Sequence, residues 1–407
     1  MTPHDSSHAV RAVVLGSTGS VGRSALSVAA SLGGRIEIVG IAAGRNAALA
    51  ARQAAACGCR RLAMADEAAA REAASLLAGT GIAVSGGADA AAELAADADA
   101  DVVLCAISGM AAFRPVLAAI DAGRRLALAS KEVLVAAGGL VLERARSKRV
   151  PIVPVDSEHS AIFQALAAAG EIPACVRAPG DPSGGGAVSR LWLTASGGPF
   201  HFLRTFDPEA VRPEDALAHP RWKMGPKVSV DSSTMMNKGF EILEARWLFD
   251  VPAERVGVLV HPESVVHSLV ETADGSQLAQ LAAPDMRLPV QYALTWPERV
   301  PNPSLPRLDL ARAGTLRFEA PDERRFPCLA LAREADRRGG VAPAAMNAAD
   351  EAAVAAFLAG SLRWADISRV VEAAIVRAPS VPSPTVADIL AADAEARAFA
   401  DSFARRV

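Results

Sequence analysis

A glycine turn near the start of the chain constrains its fold more than any other feature. Residues 12–15 (Ala-Val-Val-Leu) are typical of a buried strand, and Gly16, Gly19 and Gly22 follow, before an apolar-periodic stretch that ends near Ala30. A strand, a glycine turn and a helix begin a βαβ unit, whose glycines let the backbone approach a pyrophosphate at a helix N-terminus. We therefore expect a dinucleotide site, although a turn that only packs helix against sheet would give the same pattern.

Short apolar runs continue to alternate with alanine-rich helical stretches as far as residue 155. They lie at residues 36–41, 82–84, 102–105, 125–128 and 150–153. Strands separated by helices are typical of βαβ units and a parallel sheet. The sequence therefore predicts an α/β protein whose residues 1–155 form a Rossmann-like cofactor-binding domain.

The pattern changes after residue 155. Strand signals at residues 190–194, 256–260 and 264–270, and a hairpin signal through Asp274-Gly275, indicate a central α+β catalytic domain over residues 156–295. Residues 296–327 hold many prolines and little periodicity, as expected of a linker. Residues 328–407 are almost entirely helical in pattern, which predicts a C-terminal helical domain.

Composition narrows the class of protein. Hydrophobic residues make up 51% of the chain, enough for sizeable cores, and 42 basic against 45 acidic residues argue against a nucleic-acid binder. No apolar run reaches the ~18 residues of a membrane span, and the first ten residues do not resemble a signal peptide. The five cysteines are an odd number, and only Cys57 and Cys59 lie close together. Since neither a membrane span nor a signal peptide is recognised, we expect a soluble cytoplasmic protein. A lone C-x-C is a weak metal signal, so we expect its thiols, like the others, to be reduced.

The end of the second predicted strand indicates which dinucleotide binds. An NAD site usually places Asp or Glu there for the ribose 2′-hydroxyl. This chain has Gly44, Arg45 and Asn46 instead, with no acid. Because arginine suits a 2′-phosphate, the sequence favours NADP over NAD.

Two carboxylates follow the apolar run that ends at residue 155. Asp156 and Glu158 are two positions apart, so in extended backbone they point to the same side. Such carboxylates repel unless a cation or a proton intervenes, and hard oxygen ligands favour Mg²⁺ or Mn²⁺ over Zn²⁺. The alternative is a helix N-terminus with acidic first-turn residues. We expect the adjacent His159 to be a neutral capping residue.

The densest polar cluster lies at residues 231–241. Asp231 or Ser232 is a plausible N-cap, and helical spacing places Ser233, Asn237 and Glu241 on one face. Hydroxyls, an amide and a lysine at a helix start suit a phosphate monoester, and Glu241 is a candidate third metal ligand. An exposed amphipathic helix is the alternative.

Three further segments carry candidate site residues. Ser130, Lys131 and Glu132 follow a predicted strand, where catalytic groups of parallel sheets lie, although a charge pair at a helix start is equally consistent. Residues 194–199 offer a hydroxyl and backbone N–H groups to the same phosphate monoester as the cluster at residues 231–241. Residues 219–227 combine a histidine, a tryptophan and two lysines, a composition that suits an active-site lid. A surface loop with a packed tryptophan would have the same composition.

Taken together, these segments resemble the 1-deoxy-D-xylulose 5-phosphate reductoisomerase family. The likeness runs from about Arg11 to the C-terminus, and its most specific strings are G-S-T-G-S-V-G, P-V-D-S-E-H, H-P-R-W-K-M-G, V-D-S-S-T-M-M-N-K-G-F-E and L-A-A-P-D-M-R. The resemblance implies retro-aldol cleavage and re-addition to a branched aldehyde. NADPH then reduces the aldehyde to 2-C-methyl-D-erythritol 4-phosphate, in the non-mevalonate isoprenoid pathway.

The resemblance also implies cofactors, residue roles and a homodimer. The catalytic residues would be Lys131, Asp156, Glu158, His219 and Glu241, with Asp156, Glu158 and Glu241 holding Mg²⁺, Mn²⁺ or Co²⁺. The substrate contacts would be Lys131, Ser157, Glu158, Ser196, His219, Trp222, Ser232, Asn237, Lys238 and Glu241. Of these, Ser196, Ser232, Asn237 and Lys238 would hold the phosphate. Trp222 and Met224 would close the lid. NADPH would contact Thr18, Gly19, Ser20, Val21, Gly44, Arg45, Asn46, Ser130, Glu132 and Gly225.

The chain departs from the family pattern in places. Ser130 stands where the family usually has Asn, and Arg45 replaces a common lysine. The loop at residues 179–186 and the N-terminal tail have no assigned role.

Two other functions compete with this one. A simple NADP-dependent dehydrogenase of another phosphorylated aldehyde or ketone is the alternative enzyme; a semialdehyde dehydrogenase would need a nucleophilic cysteine, and none lies in the polar clusters. A nucleotide-sensing regulatory protein is the non-enzymatic alternative, but a sensor has no need of three carboxylates around a Lewis acid.

Overall fold

A parallel sheet forms the N-terminal part of the protein. The structure, a computed structural model, describes residues 9–178, 188–203, 205–222 and 224–406. All seven strands are parallel, in the order β4-β3-β2-β1-β5-β6-β7. They are β1 Val10–Leu15, β2 Ile36–Ala43, β3 Arg61–Met64, β4 Ala83–Gly86, β5 Val102–Cys105, β6 Arg125–Leu128 and β7 Ile152–Pro154.

Helices connect these strands, because parallel strands need a crossover connection, which is usually a helix. They are α1 Ser20–Ser31, α2 Ala47–Cys57, α3 Glu67–Leu76, α4 Ala90–Ala95, α5 Phe113–Asp121, α6 Lys131–Lys148 and α7 Ser157–Ala168. The buried faces of α2 and α3 consist of alanines, whose small side chains let these helices pack closely on the sheet. The strand order reverses between β1 and β5, so a crevice opens at the carboxyl ends of these two strands.

A second, smaller sheet follows in the middle of the chain. Its strands β8 Val188–Ala195, β9 Val256–Val260, β10 Val266–Thr272 and β11 Gln277–Leu281 lie in the order β11-β10-β8-β9. The β8–β9 pair is parallel, and β10 is antiparallel to both β8 and β11. The described residues between β8 and β9 form the α-helices α8 Pro213–Leu217, α9 Pro226–Thr234 and α10 Met236–Phe249.

Helices dominate the rest of the chain. They are α11 Arg287–Thr295, α12 Leu310–Ala313, α13 Cys328–Arg338, α14 Ala342–Leu358, α15 Trp364–Arg377 and α16 Val386–Ala404. Helices α14, α15 and α16 pack on one another, and α14 also packs against α6 and α9. One apolar core therefore runs from the parallel sheet to the C-terminal helices.

Most of the predicted elements are confirmed, including the hairpin at Asp274-Gly275, where Gly275 has φ +86°. Strand β3 was not predicted, because its four residues begin with an exposed arginine. The region predicted as a linker also contains the short helix α12 and a bridge between Val260 and Glu319. The domain boundaries at residues 155, 295 and 327 stay predictions, and the loop at residues 179–186 lies outside the described residues.

Among the described residues, no helix has the length and apolar character needed to cross a membrane.

Substitution of Gly22 tests the glycine turn. A Cβ there would lie 2.3 Å from the Gly16 carbonyl oxygen and 2.6 Å from the Ser17 Cα, and neither backbone atom can move cheaply. We expect Gly22→Ala to lower the free energy of unfolding by about 1–3 kcal/mol, as overpacking does. The control is Gly44→Ala, whose Cβ would meet nothing within 4 Å. Equal thermal unfolding midpoints for the two variants would contradict the prediction.

Candidate active site

One cleft collects most of the predicted site residues. It lies at the carboxyl ends of β1, β5, β6 and β7, faces the end of β8 and helices α9 and α10, and has a volume of about 1440 Å³ including its open mouth. The predicted residues that line it are Gly19, Ser20, Val21, Ser130, Lys131, Glu132, Asp156, Ser157, Glu158, Ser196, His219, Trp222, Gly225, Ser232, Asn237, Lys238 and Glu241, together with Met224.

The glycine turn forms the cofactor end of this cleft. Gly16 has φ +84°, and a Cβ on it would lie 2.4 Å from the Ala106 carbonyl oxygen, so only glycine lets β1 and β5 approach here. Gly19 is the N-cap of α1 and makes no side-chain cap hydrogen bond, which leaves the first N–H groups of the helix available. Such N–H groups suit a pyrophosphate.

Four predicted cofactor residues do not line the cleft. Thr18 follows β1, and Gly44, Arg45 and Asn46 follow the neighbouring strand β2. The Asn46 side chain accepts a hydrogen bond from the Leu49 N–H (3.1 Å) and thereby caps α2. The Arg45 side chain is exposed. Their contacts with NADPH stay predictions.

The Ser130 hydroxyl is occupied by backbone carbonyl oxygens at the wall of the cleft. It donates to the Ile107 carbonyl oxygen at 2.6 Å and also lies 3.2 Å from that of Cys105. This position therefore holds the loop after β5, and Ile107 itself lines the cleft. The contact with NADPH that the resemblance implies for Ser130 stays a prediction.

Three carboxylates converge deeper in the cleft. Asp156 is the N-cap of α7 and Glu158 lies in its first turn, while Glu241 comes from α10. One oxygen of each lies within 4.8 Å of the others. The prediction of extended backbone at Asp156 and Glu158 was wrong, since a helix begins there. The helix N-terminus, which was the alternative, nevertheless brings the Asp156 and Glu158 carboxylates close to that of Glu241.

Two lysines balance these carboxylates. Lys131 Nζ lies against Asp156 and 2.9 Å from Glu241 Oε1, and Lys238 Nζ contacts both Glu158 and Glu241. Burial alone would lower the pKa of Lys131, but the carboxylates, first that of Asp156, outweigh it and hold this pKa well above its usual value. Burial, followed by the charge of Glu158, raises the pKa of Glu241 to about 7.

The three carboxylates fit a divalent cation. Asp156 Oδ2 and Glu241 Oε2 are buried and have no hydrogen-bond donor apart from these ion pairs. A set of oxygens alone is the set that Mg²⁺ or Mn²⁺ prefers. A second possible set, Asp156 with His159 and Glu244, lies behind the first, and His159 and Glu244 do not line the cleft. Of the two sets, only the first opens fully to the cleft, and its role as the metal site stays a prediction.

His159 is fully buried and supports the metal set from behind. Its Nε2 lies 2.9 Å from the Glu241 carbonyl oxygen, and its Nδ1 lies 3.2 Å from Glu244 Oε2. Burial lowers the pKa of His159 to about 4, which favours the predicted neutral state. The predicted capping role was wrong, because the ring joins α7 to α10.

A small pocket opens from the cleft between the end of β8 and the junction of α9 and α10, and its volume is about 230 Å³ including its open side. It is lined by Ala195, Ser196, Gly197, Gly198, Ser232, Met235, Asn237 and Lys238. Two hydroxyls, an amide and an ammonium suit a phosphate monoester. A Cβ on Gly198 would lie 2.5 Å from the Ser232 carbonyl oxygen, so the pocket depends on glycine there.

The helix around this pocket is broken. Helix α9 ends at Thr234, Met235 has the left-handed φ of 62°, and α10 begins at Met236. The N-cap prediction for Asp231 or Ser232 was therefore wrong, as both lie near the end of α9. Ser233 is also separated from Asn237 and Glu241, and its hydroxyl accepts from Trp364 Nε1 instead.

His219 organises the predicted lid. Its Nδ1 accepts from the Trp222 N–H (2.8 Å) and the Arg221 N–H (3.2 Å), so Nε2 carries the proton and donates to Ser196 Oγ at 2.8 Å. Burial, followed by the charge of Lys238, lowers the pKa of His219 to about 4, which keeps the ring neutral. The Ser196 O–H is thereby left free to donate to an anion. Lys223, which also belongs to the predicted lid segment, lies outside the described residues.

A buried ion cluster anchors α9 to the C-terminal helices. Lys227 Nζ lies 2.7 Å from Asp231 Oδ2, 3.1 Å from Asp350 Oδ2 on α14, and 4.3 Å from the centre of the Phe240 ring. Burial raises the pKa of both aspartates, and the second carboxylate raises that of Asp231 further. Helix α9 begins where the lid ends, and it carries Ser232. The cluster therefore positions both the end of the lid and Ser232.

The sequence analysis missed several residues that line the cleft: Ile107, Ser108, Val228, Ser264, His267 and Met286. Met286 belongs to the quoted string L-A-A-P-D-M-R, so the string itself was an available signal. Ile107 and Ser108 follow β5 at the strand-order reversal, which also predicts their position. His267 is buried in β10 and gave no local signal.

A glycine turn on a parallel sheet, three carboxylates and a phosphate-sized pocket in one cleft define a metal-dependent oxidoreductase of the Rossmann class. Three family models match this chain. The model of 1-deoxy-D-xylulose 5-phosphate reductoisomerase matches residues 12–138, and the model of its C-terminal domain matches residues 152–249. A further model, of the DXP reductoisomerase C-terminal domain, matches residues 281–399. This chain belongs to the 1-deoxy-D-xylulose 5-phosphate reductoisomerase family.

Individual relatives agree over nearly the whole chain. The reductoisomerase of Cupriavidus taiwanensis is 48% identical over 95% of this chain and 96% of its own length. A crystallised reductoisomerase of Zymomonas mobilis in complex with NADPH is 40% identical, with a TM-score of 0.87 over 98% of this chain and all of that chain. A further reductoisomerase structure, in complex with NADPH, fosmidomycin and magnesium, is 36% identical, with a TM-score of 0.88 over 97% of this chain and 98% of that one.

The pH dependence of stability tests the Lys227 cluster. A carboxyl whose pKa is raised on folding stabilises the protein below its unfolded pKa of about 4, and this contribution is lost as pH rises through the folded pKa. Asp350→Asn removes one such carboxyl. We therefore expect wild type to lose more stability than this variant between about pH 5 and about pH 8.

The measurement is the difference in thermal unfolding midpoint between the two proteins at each pH. Other buried acids, including Glu241 and Glu244, are common to both and cancel in this difference. A difference that is constant with pH would contradict the prediction.

Proposed function

We propose that this protein converts 1-deoxy-D-xylulose 5-phosphate to 2-C-methyl-D-erythritol 4-phosphate, using NADPH and a divalent metal. The observation that carries the proposal is the meeting of three sites in one cleft: the glycine turn, the carboxylate set and the phosphate-sized pocket. Each site matches one component of this reaction. An isomerisation followed by a hydride transfer needs all three around one small molecule.

Asp156, Glu158 and Glu241 would hold Mg²⁺, Mn²⁺ or Co²⁺, which when bound supplies Lewis-acid stabilisation of developing oxygen charge. Lys131 and Lys238 offset the negative charge of these ligands within a buried site. The raised pKa of Lys131, which Asp156 and Glu241 maintain against burial, keeps its ammonium protonated at neutral pH. Lys131 therefore donates hydrogen bonds and does not act as a general base.

Ser196, Ser232, Asn237 and Lys238 would hold the phosphate of the substrate. This pocket adjoins the carboxylate set, because Lys238 contacts Glu158 and Glu241 as well as lining the pocket. Phosphate binding thus has a direct structural connection to the metal ligands. Binding energy from a remote phosphate can orient the substrate and close the lid.

His219 and Trp222 would form the lid over the reacting carbons. The hydrogen bond from His219 to Ser196 joins the lid to the phosphate pocket, so occupation of the pocket and closure are coupled. A closed lid excludes water and protects an aldehyde until hydride is transferred.

The competing functions fit the structure less well. Cys105 lies at the end of β5 close to the cleft, but it is fully buried, and burial raises the pKa of its thiol to about 11. A semialdehyde dehydrogenase needs an activated thiolate, which Cys105 therefore does not provide. A nucleotide sensor does not require the carboxylate set.

We also propose that the protein is a cytoplasmic homodimer. The five cysteines are free, as expected in a reducing compartment. Strand β11 lies at the edge of the second sheet with Leu278 partly exposed, and such an edge is available for pairing with a second copy.

The metal requirement is tested by NADPH oxidation. With 1-deoxy-D-xylulose 5-phosphate present, we expect turnover with Mg²⁺, Mn²⁺ or Co²⁺ and its loss in excess chelator. Glu241→Gln removes one ligand charge, and loss of a metal ligand interaction of about 3 kcal/mol or more corresponds to at least about a hundredfold lower kcat/KM. Glu143→Gln, on the exposed face of α6, is the matched control. Undiminished turnover in chelator would contradict the metal assignment, and wild-type rates for Glu241→Gln would remove that residue from the site.

The role of His219 is tested by His219→Ala. The variant loses the acceptor for two backbone N–H groups of the lid and the donor to Ser196. Loss of buried hydrogen bonds costs about 1–3 kcal/mol, so we expect kcat/KM for the substrate to fall by about 5- to 150-fold. His201→Ala is the control, because His201 does not line the cleft. Equal kcat/KM values for the two variants would contradict the lid assignment.

A further inference from the structure

Two cysteines with a single glycine between them lie at the junction of α2 and β3. Cys57 is the last residue of α2 and is partly exposed, whereas Cys59 is 1% exposed. Gly58 caps the helix in the left-handed conformation, with φ 66° and ψ 25°. The reaction proposed above does not use this pair.

The backbone at Gly58 brings the two cysteines within disulfide range. A left-handed helical residue is the mirror image of a right-handed one, so the Cα atoms on either side of it are about 5.4 Å apart. Disulfides join Cα atoms about 4.4–6.8 Å apart. The space around Gly58 is open, with nothing within 4 Å of a Cβ position, so the turn has room to adjust.

The two neighbouring thiols shift each other's acidity. Cys59 lowers the pKa of the Cys57 thiol to about 7, and Cys57, together with burial, raises the pKa of Cys59. Cys57 Sγ lies 3.6 Å from the Ala54 carbonyl oxygen. Cys59 Sγ also lies 3.4 Å from the Arg61 carbonyl oxygen. A partly exposed thiolate beside a second, buried thiol has the features of a redox-sensitive pair.

The pair is far from the active-site edge of the sheet. Cys59 precedes β3, so it lies at the amino end of the strands, whereas the cleft lies at their carboxyl ends. Neither cysteine lines the cleft. The chemistry of this cysteine pair is therefore separate from the proposed reaction.

We propose that Cys57 and Cys59 form a reversible dithiol–disulfide site that peroxides oxidise. The Cys57 thiolate attacks one oxygen of hydrogen peroxide, the O–O bond breaks, and Cys57 sulfenic acid forms as hydroxide leaves and takes a proton to become water. The Cys59 sulfur then attacks the Cys57 sulfur, the S–O bond breaks, and a second water leaves with the Cys59 proton. Two thiols and one peroxide thus give one disulfide and two waters. A disulfide across a single residue closes a small strained ring, and strained disulfides are readily reduced again.

The first test counts thiols in the full-length protein. Reduced protein is treated with hydrogen peroxide, the remaining thiols are alkylated after denaturation, and peptides are analysed by mass spectrometry. We expect the five thiols to fall to three, because the disulfide consumes two, and the peptide with both cysteines to lose the mass of two hydrogen atoms. Dithiothreitol is expected to restore all five. Cys105, Cys175 and Cys328 are buried and serve as internal controls. Retention of five thiols, or equal oxidation of these buried cysteines, would overturn the proposal.

The second test separates the two steps. In Cys59→Ala the resolving thiol is absent, so we expect Cys57 sulfenic acid to accumulate and to react with dimedone. In wild type we expect dimedone labelling to be at least about tenfold weaker, because Cys59 consumes the sulfenic acid. Equal labelling of Cys57 in the two proteins would show that Cys59 does not resolve it and would overturn the pairing.

Discussion

Burial of three carboxylates in one cleft is the constraint on which the rest of this structure depends. Asp156, Glu158 and Glu241 lie within 4.8 Å of one another, and like charges at this distance repel strongly in a buried site. Lys131 and Lys238 offset that repulsion. The two lysines and the three carboxylates come from α6, α10 and the start of α7, so this charge balance ties the relative positions of these three helices.

The elements around the cleft each contribute to this charge balance. The parallel sheet delivers Lys131 and Asp156 at the carboxyl ends of adjacent strands, β6 and β7. Helix α10 supplies Glu241 and Lys238, and buried His159 ties its backbone to α7. The phosphate-sized pocket shares Lys238 with the carboxylate set, so the two ends of the substrate site are electrostatically linked. The redox pair proposed at Cys57 and Cys59 lies at the opposite edge of the sheet, outside this network.

Local pattern predicted much of the fold because strands and turns have local causes. Apolar runs and glycines gave β1, β5, β9 and the hairpin close to their observed bounds. The break between α9 and α10 was not predicted, since methionine is not a residue type that favours the left-handed conformation that Met235 adopts there. Because of this break, Ser233, which helical spacing placed on one face with Asn237 and Glu241, instead accepts a hydrogen bond from Trp364 of the C-terminal helices.

The sequence by itself determined the chemistry available to this protein: a glycine turn for a dinucleotide, oxygen ligands for a hard cation, and hydroxyls with a lysine for a phosphate. Their type and order are local properties that the chain carries in any conformation. Only the tertiary structure decided which groups meet. Ser130 bonds the Ile107 carbonyl, Lys227 joins two aspartates from different helices, and His219 reaches Ser196. Apart from the contact of Lys227 with Asp231, four residues further along α9, these contacts join residues distant in sequence, and only packing places such residues within hydrogen-bond range.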